Sequence, residues 1–426
     1  MTAFPATVLS RLFRHYPGNL ELQLWDGTQL QFGEHPASVR VALRDARAFR
    51  DLVVFRDPLR LAHAFFIGRI DIEGSMYEAL RIKDYVSRLS LSLRERLWIL
   101  ASALLARNSR GGAAQPVDIA SGHALEAPRS ARANSRDSIG FHYDLSNAFY
   151  ALWLDPRMVY SCAYFGSDNE SLEDAQVRKL DVVCRKLRLR PGETMLDIGC
   201  GWGALVIHAA REYGVRAHGV TLSREQYELA RARIAELGLS HLATVALRDY
   251  RELEGEARYD KIASIGMFEH VGLKNLPRYF ATAHRLLKPG GLFLNHGITS
   301  REPGWQKTVS TSFINRYVFP DGELDSVANI QREMEASNFE ILDVESLRPH
   351  YALTLRHWVR GLEAHSEEAL REVGETVYRV WRVYMAACAL QFEQGDTGVY
   401  QILLARAGES TRGRDIAVGN RAGAYS

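Results

Sequence analysis

The chain has 426 residues, 46% of them hydrophobic and 24% charged, a composition typical of a globular protein with two or three domains. Its formal net charge of +2 gives no sign of nucleic-acid binding. The 4 cysteines include no CxxC pair, which argues against a zinc site or a disulfide framework and indicates a reducing cytosol.

Residues 1–107 are predicted to form a small α+β domain. The amino terminus lacks the unbroken apolar core of a secretory signal. Alternating apolar and polar residues on both sides of Asp26-Gly27 predict a β-hairpin, and SVRVAL and GRIDIEG continue the strand pattern. Residues 76–107 read as helical. The apolar run LWILASALLA within them is too short to cross a bilayer and predicts a buried or interfacial helix.

Residues 108–137 are predicted to be a linker. They are rich in Gly, Ala, Ser and Arg and show little periodicity. Basic residues near an anionic membrane contribute at most about 1 kcal/mol each, so the linker could hold the protein on such a surface. A solvated tether without that role fits the same composition equally well. The arginines concerned are Arg110, Arg129, Arg132 and Arg136.

Residues 138–426 are predicted to form an α/β domain. Ser171 is placed to cap a helix, and from there strand-like and helix-like segments alternate. The segment PGETMLDIGCGWG reads as a turn, a strand and a glycine-rich loop, and LVIHAAREYG reads as the following helix. This alternation predicts parallel βαβ units in a doubly wound, Rossmann-like sheet.

The glycine-rich loop indicates the kind of ligand. Its GxGxG pattern lets a ligand approach the main chain closely. A dinucleotide site would add an acid at the end of the next strand, but that strand ends GVTLS. Asp197, directly before the glycines, suits a cationic ligand better than a phosphate. The pattern therefore favours S-adenosylmethionine over a plain glycine-rich connection.

Five blocks of sequence point to one known family when they are taken together. They are HYDLSNAFYALWLDPRMVYSCAYF, LDIGCGWG, GVTLSREQ, YDKIASIGMFEHVG and VFPDGELDSV, in that order. They resemble the cyclopropane-fatty-acid synthase and mycolic acid cyclopropane synthase family of S-adenosylmethionine-dependent methyltransferases. The match runs from His142 to about Val327, with a further match around Tyr351. Residues 1–107 resemble, more weakly, the lipid-carrier-like domain of full-length bacterial members.

The resemblance implies two small molecules in the site. The first is S-adenosylmethionine, with contacts at Tyr160, Ser161, Asp197, Gly199, Gly201, Gly203, Thr221, Gln226, Tyr250 and Arg251. The second is a bicarbonate ion that acts as general base, with catalytic contacts at Cys162, Glu269, His296, Ile298 and Tyr351. Two departures leave the acyl-chain preference open: HGI stands where a related enzyme reads HTI, and LRPHYALTL surrounds Tyr351.

The implied reaction sets requirements on these residues. Methyl transfer to an alkene leaves a carbocation, so the pocket must exclude water. The aromatic residues between 141 and 165 fit this need, although any one ring could equally be packing. A buried Glu269 beside an anion requires a shared proton, on His296 or between Glu269 and the bicarbonate. His270 alone reads more readily as structural, metal-ligand spacing is not found, and Cys162 has no neighbouring histidine to make it a nucleophile.

The leading hypothesis is an enzyme that forms cyclopropane rings on unsaturated phospholipid acyl chains. One alternative ends the same methyl transfer in a methylene- or methyl-branched chain, and a second is an inactive lipid-binding relative. The expected partners are those acyl chains and an anionic membrane surface, with no nucleic acid; a homodimer is left open. The expected location is the cytoplasm, peripherally on the inner face of the membrane.

Overall fold

The computed structural model describes residues 3–55, 57–90, 92–105, 145–319 and 322–407. The predicted linker and its arginines lie outside these residues. The chain divides into two compact units, one grouping Met1–Leu125 with Ala369–Ala387 and the other grouping Glu126–Glu368 with Cys388–Ser426. Among the described residues, no helix combines the length and apolarity needed to cross a membrane.

The first unit is built on a four-stranded sheet in the order β2-β1-β3-β4. The predicted hairpin is confirmed: β1 and β2 are antiparallel, and Gly27 in their turn has a φ of +89°, which glycine adopts without strain. The strands are β1 (Leu20–Gln23), β2 (Gln29–Phe32), β3 (Val39–Leu43) and β4 (Ile70–Gly74). The helices are α1 (Ala3–Leu12), α2 (Ala46–Arg50), a π-helical turn (Asp51–Phe55), α3 (Pro58–Phe66), α4 (Met76–Arg88) and α5 (Leu93–Leu105).

The stretch predicted as helical over residues 76–107 forms two helices where it is described. The chain leaves α4 at Leu89, whose backbone is extended. The next helix starts from a reciprocal cap, in which Ser92 and Glu95 each accept a hydrogen bond from the other's backbone N–H. In α5, Ile99 is buried, whereas Leu97 is 66% exposed, so the apolar run LWILASALLA is only half covered.

An apolar pocket lies within the first unit. It has about 700 Å³ of space, including its open mouth, and is lined by β3, β4, α3 and α4. Lys83 is its one charged lining residue among the described residues, and Val383, from the segment Ala369–Ala387, completes the wall. Arg379 of the same segment is buried and donates to the backbone carbonyls of Phe65 and Ile70, at 2.7 and 3.1 Å.

The second unit is built on a seven-stranded sheet in the order β10-β11-β9-β8-β5-β6-β7. The pairs joining β7, β6, β5, β8 and β9 are parallel, while β11 runs antiparallel to β9 and β10. The strands are β5 (Thr194–Ile198), β6 (Arg216–Thr221), β7 (Ala243–Leu247), β8 (Tyr259–Ile265), β9 (Leu287–Ser300), β10 (Phe339–Ser346) and β11 (Thr397–Arg406).

Helices follow most of these strands. The start of one helix was predicted from its capping residue. Ser171 caps the first long helix by accepting from the Asp174 N–H at 3.0 Å, which confirms the predicted cap. The helices are α6 (Asn147–Ala151), α7 (Leu172–Lys186), α8 (Ala204–Tyr213), α9 (Arg224–Glu236), α10 (Leu276–Leu286), α11 (Val309–Tyr317), α12 (Val327–Ala336), α13 (Arg348–Ala364) and α14 (Ser366–Gln394).

The predicted doubly wound α/β fold is confirmed in this second unit. Apolar side chains from both faces of the sheet form two buried clusters, one of which includes Met195 and Ala217 and the other Leu196 and Ile198. Neighbouring residues of β5 therefore pack on opposite sides of the sheet, as a strand covered on both faces requires. The burial of the strands holds their carboxyl ends in place, and the polar side chains of the candidate site lie at those ends.

Candidate active site

A cavity lies at the carboxyl ends of β5, β6 and β8. The strand order changes direction at β5, and in open α/β sheets such a switch point leaves a crevice for a ligand. The cavity has about 950 Å³ of space, including its open mouth. Eight of the ten residues predicted for the cofactor line it: Tyr160, Ser161, Asp197, Gly199, Gly201, Thr221, Gln226 and Tyr250.

The glycine-rich loop after β5 forms one wall of this cavity. Gly199 and Gly201 have φ values of +79° and +54°, in the left-handed region that disfavours other residues. A Cβ on Gly201 would meet nothing within 4 Å, so open space faces this backbone. Gly203 lies further on, at the start of α8, where a Cβ placed on it would lie 3.0 Å from the Ala230 side chain. It supports the loop but does not line the cavity.

Two buried groups of opposite charge line the same part of the cavity. Asp197 ends β5, and burial raises the pKa of its carboxyl to about 7 while the nearby charge of Lys179 lowers it. Lys179 comes from α7, and its ammonium donates to the Ser161 hydroxyl at 2.8 Å. Burial lowers the pKa of Lys179 to about 8. Both charges are therefore costly to leave without a partner.

The opposite part of the cavity is shaped by polar groups after β6 and β7. The Thr221 hydroxyl donates to the Gln226 side-chain carbonyl at 2.7 Å, and both residues are buried. Tyr250 packs edge-to-face on a core tyrosine. Arg251 points away from the main cavity into an ion pair with Asp249, and these two residues line a smaller adjoining pocket that Tyr250 shares.

The segment that carries Tyr160 and Ser161 is held by the side chain of Gln176. This buried amide of α7 donates to the carbonyls of Val159 and Ser161, at 3.3 and 2.9 Å. Because Gln176 and Lys179 are three residues apart on one helix, both reach the same segment. The helix α7 therefore fixes the backbone and a side chain of the cavity wall together.

An aromatic cluster surrounds the Tyr160 ring. Its ring centroid lies 5.1 Å from that of Trp358, 5.4 Å from Trp153 and 5.8 Å from Tyr150. The sequence suggested that the aromatic residues between 141 and 165 would together surround a cation. Only some of them belong to this cluster. Phe149 joins this cluster, whereas Tyr164 and Phe165 stack on His350 instead, and Phe141 and Tyr143 lie outside the described residues.

Glu269 lies in a short turn, Phe268–His270, that follows β8. One carboxyl oxygen accepts the Ile298 N–H at 2.9 Å, while the other is buried and has no protein hydrogen-bond partner. Burial raises the pKa of Glu269 to about 7, against the lowering effect of the backbone hydrogen bonds. The structure thus joins Glu269 and Ile298, two residues predicted to share a site.

His296 lies on β9, two residues before Ile298. Its Nδ1 lies 3.3 Å from the side-chain nitrogen of Gln401 on the neighbouring strand β11. In this orientation of the Gln401 amide its nitrogen donates to Nδ1, which places the ring proton on Nε2; in the reversed orientation Nδ1 would donate to the amide oxygen. That Nε2 is buried without a protein partner, and burial, with the charges of Lys179 and Lys186, keeps the pKa of His296 well below its usual range.

The glycine between His296 and Ile298 has a structural cause. A Cβ on Gly297 would lie 1.8 Å from the ring of Phe268, which is buried beside Glu269. The HGI sequence therefore fits the position of this ring, and a threonine at 297 would displace it. The departure noted in the sequence is an adjustment of packing next to Glu269.

Tyr351 lies in the first turn of α13, and the Cys162 thiol lies next to Leu347, the residue before that helix. The Cys162 thiol is buried and donates to the carbonyls of Ala163 and Leu347, and burial raises the pKa of this thiol. Tyr351 lies one turn after Leu347, and its ring packs on Trp358 at 5.9 Å. Tyr351 therefore lies beside the aromatic cluster.

His270 lines the main cavity and the smaller pocket beside it. Desolvation lowers the pKa of His270 to about 4, so the ring is neutral near pH 7, and it packs on Phe319 at 4.8 Å. A neutral ring in this position forms part of the wall. Among the described residues, no group of three or more His, Cys, Asp and Glu side chains is arranged to hold a metal ion.

Three polar residues of this region were missed by the sequence analysis: Lys179, Asp249 and Gln401. Lys179 gave a signal, because it stands four residues from Ala175 and from Val183 on the buried face of its helix. A charged residue at such a position is seldom buried without a partner. Asp249 follows a strand end, where ligand groups gather. Gln401 gave no local signal, because its contact spans 105 residues of sequence.

Comparisons with known proteins identify the family of this chain. Residues 130–402 match the family model described as mycolic acid cyclopropane synthetase. A "Probable fatty acid methyltransferase" of Pseudomonas putida is 38% identical over 395 residues, which cover 91% of this chain and 92% of that protein. The cyclopropane-fatty-acyl-phospholipid synthase of Escherichia coli K12 is 40% identical over 269 residues, 63% of this chain and 68% of that protein.

Solved structures give the same result for the fold. The mycolic acid cyclopropane synthase CmaA1, solved with SAH and CTAB, superposes with a TM-score of 0.60 at 36% identity. The superposition covers 63% of this chain and 97% of CmaA1. The seven-stranded sheet is accordingly the Rossmann-like sheet of the S-adenosylmethionine-dependent methyltransferases. With a family model that spans residues 130–402, the chain belongs to the mycolic acid cyclopropane synthetase family.

Proposed function

We propose that this protein transfers a methyl group from S-adenosylmethionine to the cis double bond of an unsaturated phospholipid acyl chain and closes a cyclopropane ring. The observation that carries the proposal is Glu269, a buried acid with one oxygen unpartnered, in the turn that also places His270 at the cavity. A ring-closing methyl transfer needs a site for proton removal close to the methyl donor.

The cavity supports S-adenosylmethionine as the methyl donor. Its walls combine a glycine-rich loop, the buried acid Asp197 and the aromatic ring of Tyr160. A sulfonium is a cation, so carboxylate and aromatic groups suit it better than they would suit a phosphate. The relative CmaA1 was solved with SAH, the product of methyl donation.

The unpartnered atoms of Glu269 and His296 fit a small anion such as bicarbonate. The Nε2 of His296 has no protein partner, and a neutral ring with its proton on Nε2 would donate there. Glu269 has a raised pKa of about 7, so its second oxygen carries a proton in a large share of molecules near neutral pH. Both groups can then donate to an anion, and the repulsion that a carboxylate would cause is removed.

The roles of the chain's own residues follow from these positions. When bound, S-adenosylmethionine supplies an electrophilic methyl group on sulfur, and bicarbonate supplies a weakly nucleophilic general base. Transfer to the alkene breaks the sulfur–carbon bond, forms a carbon–carbon bond and leaves a carbocation on the acyl chain. Loss of a proton from the new methyl then closes the ring. Trp153, Tyr160 and Trp358 shield the site from water, and Glu269 and His296 hold the base.

A second outcome shares the first step and ends in a methylene- or methyl-branched chain. It is favoured by the Pseudomonas putida relative, which covers 91% of this chain and carries the name of a fatty acid methyltransferase. The two outcomes differ in which carbon loses the proton, and therefore in where the base sits relative to the acyl chain. Glu269 and His296, each buried with one side-chain atom that lacks a protein partner, support the cyclopropane.

The chemical structure of the product distinguishes the cyclopropane from the branched chain. Purified protein is incubated with S-adenosylmethionine and vesicles of a phospholipid with one cis double bond per chain, and the fatty acids are analysed by mass spectrometry before and after mild hydrogenation. We expect chains heavier by one CH2 that resist hydrogenation, as a cyclopropane does. Ready uptake of hydrogen would mean a branched alkene, formed when the carbocation loses its proton without closing the ring. Unchanged lipids would contradict the enzymatic role.

The same vesicles test the proposed surface partner. We propose that the basic linker holds the protein on anionic lipid, which supports a peripheral position on the inner face of the membrane. Co-sedimentation with anionic vesicles should weaken with salt and when Arg129, Arg132 and Arg136 are replaced by glutamine. Binding that is indifferent to both changes would contradict this part of the proposal.

A further inference from the structure

Lys179 is a buried ammonium that the proposed chemistry does not use. Its side chain is 1% exposed, yet it lines the main cavity. An ammonium has three N–H donors, and within the described part of the chain one of them is taken up, by the Ser161 hydroxyl. A buried cation with donors left over is stabilised only when an anion reaches it.

The acids closest to Lys179 do not meet that need. Asp155 affects the pKa of Lys179, but its two oxygens accept the N–H groups of Arg157 and Val159 at 3.1 and 2.8 Å. Asp197 shares the cavity wall, but no ion pair within 4.0 Å joins it to Lys179 in the described structure. The cavity thus presents one buried positive and one buried negative group that are not paired with each other, whereas its other lining cation, Arg248, is exposed.

This separation suits a zwitterion. The amino-acid end of S-adenosylmethionine carries an α-ammonium and an α-carboxylate on one carbon, so it offers each buried charge its opposite. We propose that Lys179, oriented by Ser161, binds the α-carboxylate of the co-substrate while Asp197 receives the α-ammonium. The inference rests on the proposed use of S-adenosylmethionine and adds Lys179 as a determinant of which nucleosides the cavity accepts.

Helix α7 explains how the lysine keeps its position. Gln176, one turn earlier, holds the backbone of the Ser161 segment through two hydrogen bonds. The hydroxyl that orients Lys179 is therefore fixed by the same helix that carries the lysine. A carboxylate entering the cavity would meet a charge already in place, which lowers the entropic cost of binding.

Binding calorimetry with two nucleosides tests the assignment without reference to turnover. The first is S-adenosylhomocysteine, and the second is its decarboxylated analogue, which keeps the amine and the adenosine. The unmodified protein should prefer the first by about 10- to 100-fold, the usual scale for a charge-assisted hydrogen bond. If the unmodified protein bound the two nucleosides with equal affinity, the proposal would be overturned without the need for a variant.

The variant Lys179→Met then locates the preference. It should lose most of its affinity for S-adenosylhomocysteine and keep its affinity for the decarboxylated analogue, so that the ratio approaches one. Equal weakening of both ligands would show that Lys179 only supports the wall, and an unchanged ratio would show that the carboxylate binds elsewhere. Failure of the unmodified protein to bind either nucleoside would contradict the proposed function itself.

Arg178→Met serves as the matched control on the same helix. Arg178 is partly exposed and pairs with Glu170 away from the cavity, so its loss should leave both affinities unchanged. Circular dichroism and thermal unfolding of each variant show whether the fold is kept. If Lys179→Met does not fold, the comparison of the two nucleosides on the unmodified protein still decides the proposal.

Discussion

The two oxygens of the Glu269 carboxyl group have different surroundings. One is bound by the Ile298 N–H, and the other is buried with no protein partner. A carboxyl group with a pKa of about 7 changes its protonation near neutral pH, and so changes from a hydrogen-bond donor to a second negative charge. The proposed anion would be held by the first form and repelled by the second.

Turnover should therefore fall as the pH rises through about 7. The variant Glu269→Gln keeps a donor at every pH and should flatten this limb of the profile, whereas Glu269→Ala should lower turnover by about 10²- to 10⁴-fold with little change in cofactor affinity. The measurement is kcat against pH at saturating S-adenosylmethionine. Glu254→Gln, an exposed acid, should behave like the unmodified protein. A near-normal rate for Glu269→Ala would contradict a role in the reaction.

Gly201 allows a separate test of the cofactor site at the residue scale. A side chain there would enter open space beside the loop, so Gly201→Val should weaken S-adenosylhomocysteine binding by blocking its approach. Gly238→Val is a matched control, because Gly238 also has a positive φ, +69°, and an open Cβ direction, but it lies outside the cavity. Both variants carry similar backbone strain. If calorimetry finds that both variants change the affinity for S-adenosylhomocysteine equally, the glycine-rich loop has no specific role in binding it.

At the scale of elements, α14 contributes a buried cation to the first unit. Arg379 donates to the carbonyls of Phe65 and Ile70 and to the carboxylate of Asp71 at 3.1 Å. Burial alone would raise the pKa of Asp71, but the hydrogen bond from Arg44 and the charge of Arg379 lower it overall. The stability gained from this pairing is therefore present at neutral pH and is lost as the pH falls through the lowered pKa.

Replacing Arg379 should destabilise the first unit strongly. Arg379→Met removes a buried donor from the carbonyls of Phe65 and Ile70 and one of the two arginines that contact Asp71, and we expect a loss of about 3 kcal/mol in the free energy of unfolding. Arg371→Met, at an exposed position of α14 before the kink at Gly374, should cost much less. The measurement is urea unfolding followed by circular dichroism at neutral and acidic pH. The difference between the two variants should shrink in acid; a difference that grows there would contradict the assigned pairing.

The sequence predicted some elements well and others poorly, for physical reasons. The hairpin at Gly27, the cap at Ser171 and the doubly wound sheet follow from local patterns of burial and turn chemistry. Residues 76–107 were predicted to be helical, but the extended backbone at Leu89 that ends α4 was not predicted, because no glycine or proline signals it. Contacts such as that of Gln401 with His296 join distant strands, and a single sequence carries no local trace of them.

At the scale of the whole molecule, ligand binding should slow hydrogen exchange in only one of the two units. A ligand that binds only the folded state stabilises what it binds, by about 2.7 kcal/mol at a concentration one hundred times its Kd. The cavity lies wholly within the second unit. Hydrogen exchange with saturating S-adenosylhomocysteine should therefore slow around Tyr160, Asp197 and Gly201.

Exchange in the strands and helices of the first unit should change little in the same experiment. The variant Gly201→Val, which we expect to bind poorly, is the control and should show no protection. Protection that appeared mainly in the sheet β1–β4 would show that the nucleoside binds elsewhere, and would contradict the placement of the cofactor site in the second unit.

The grouping of Ala369–Ala387 with the N-terminal residues has a consequence for protein synthesis. A ribosome releases the four strands of the first unit early, but the helix segment that brings Arg379 and Val383 follows only after most of the second unit has emerged. Until then, the carbonyls of Phe65 and Ile70 lack the hydrogen bonds that Arg379 donates in the folded protein. We expect the first unit to become protease-resistant only when translation has passed Ala387, so that folding there ends last although its sequence begins first.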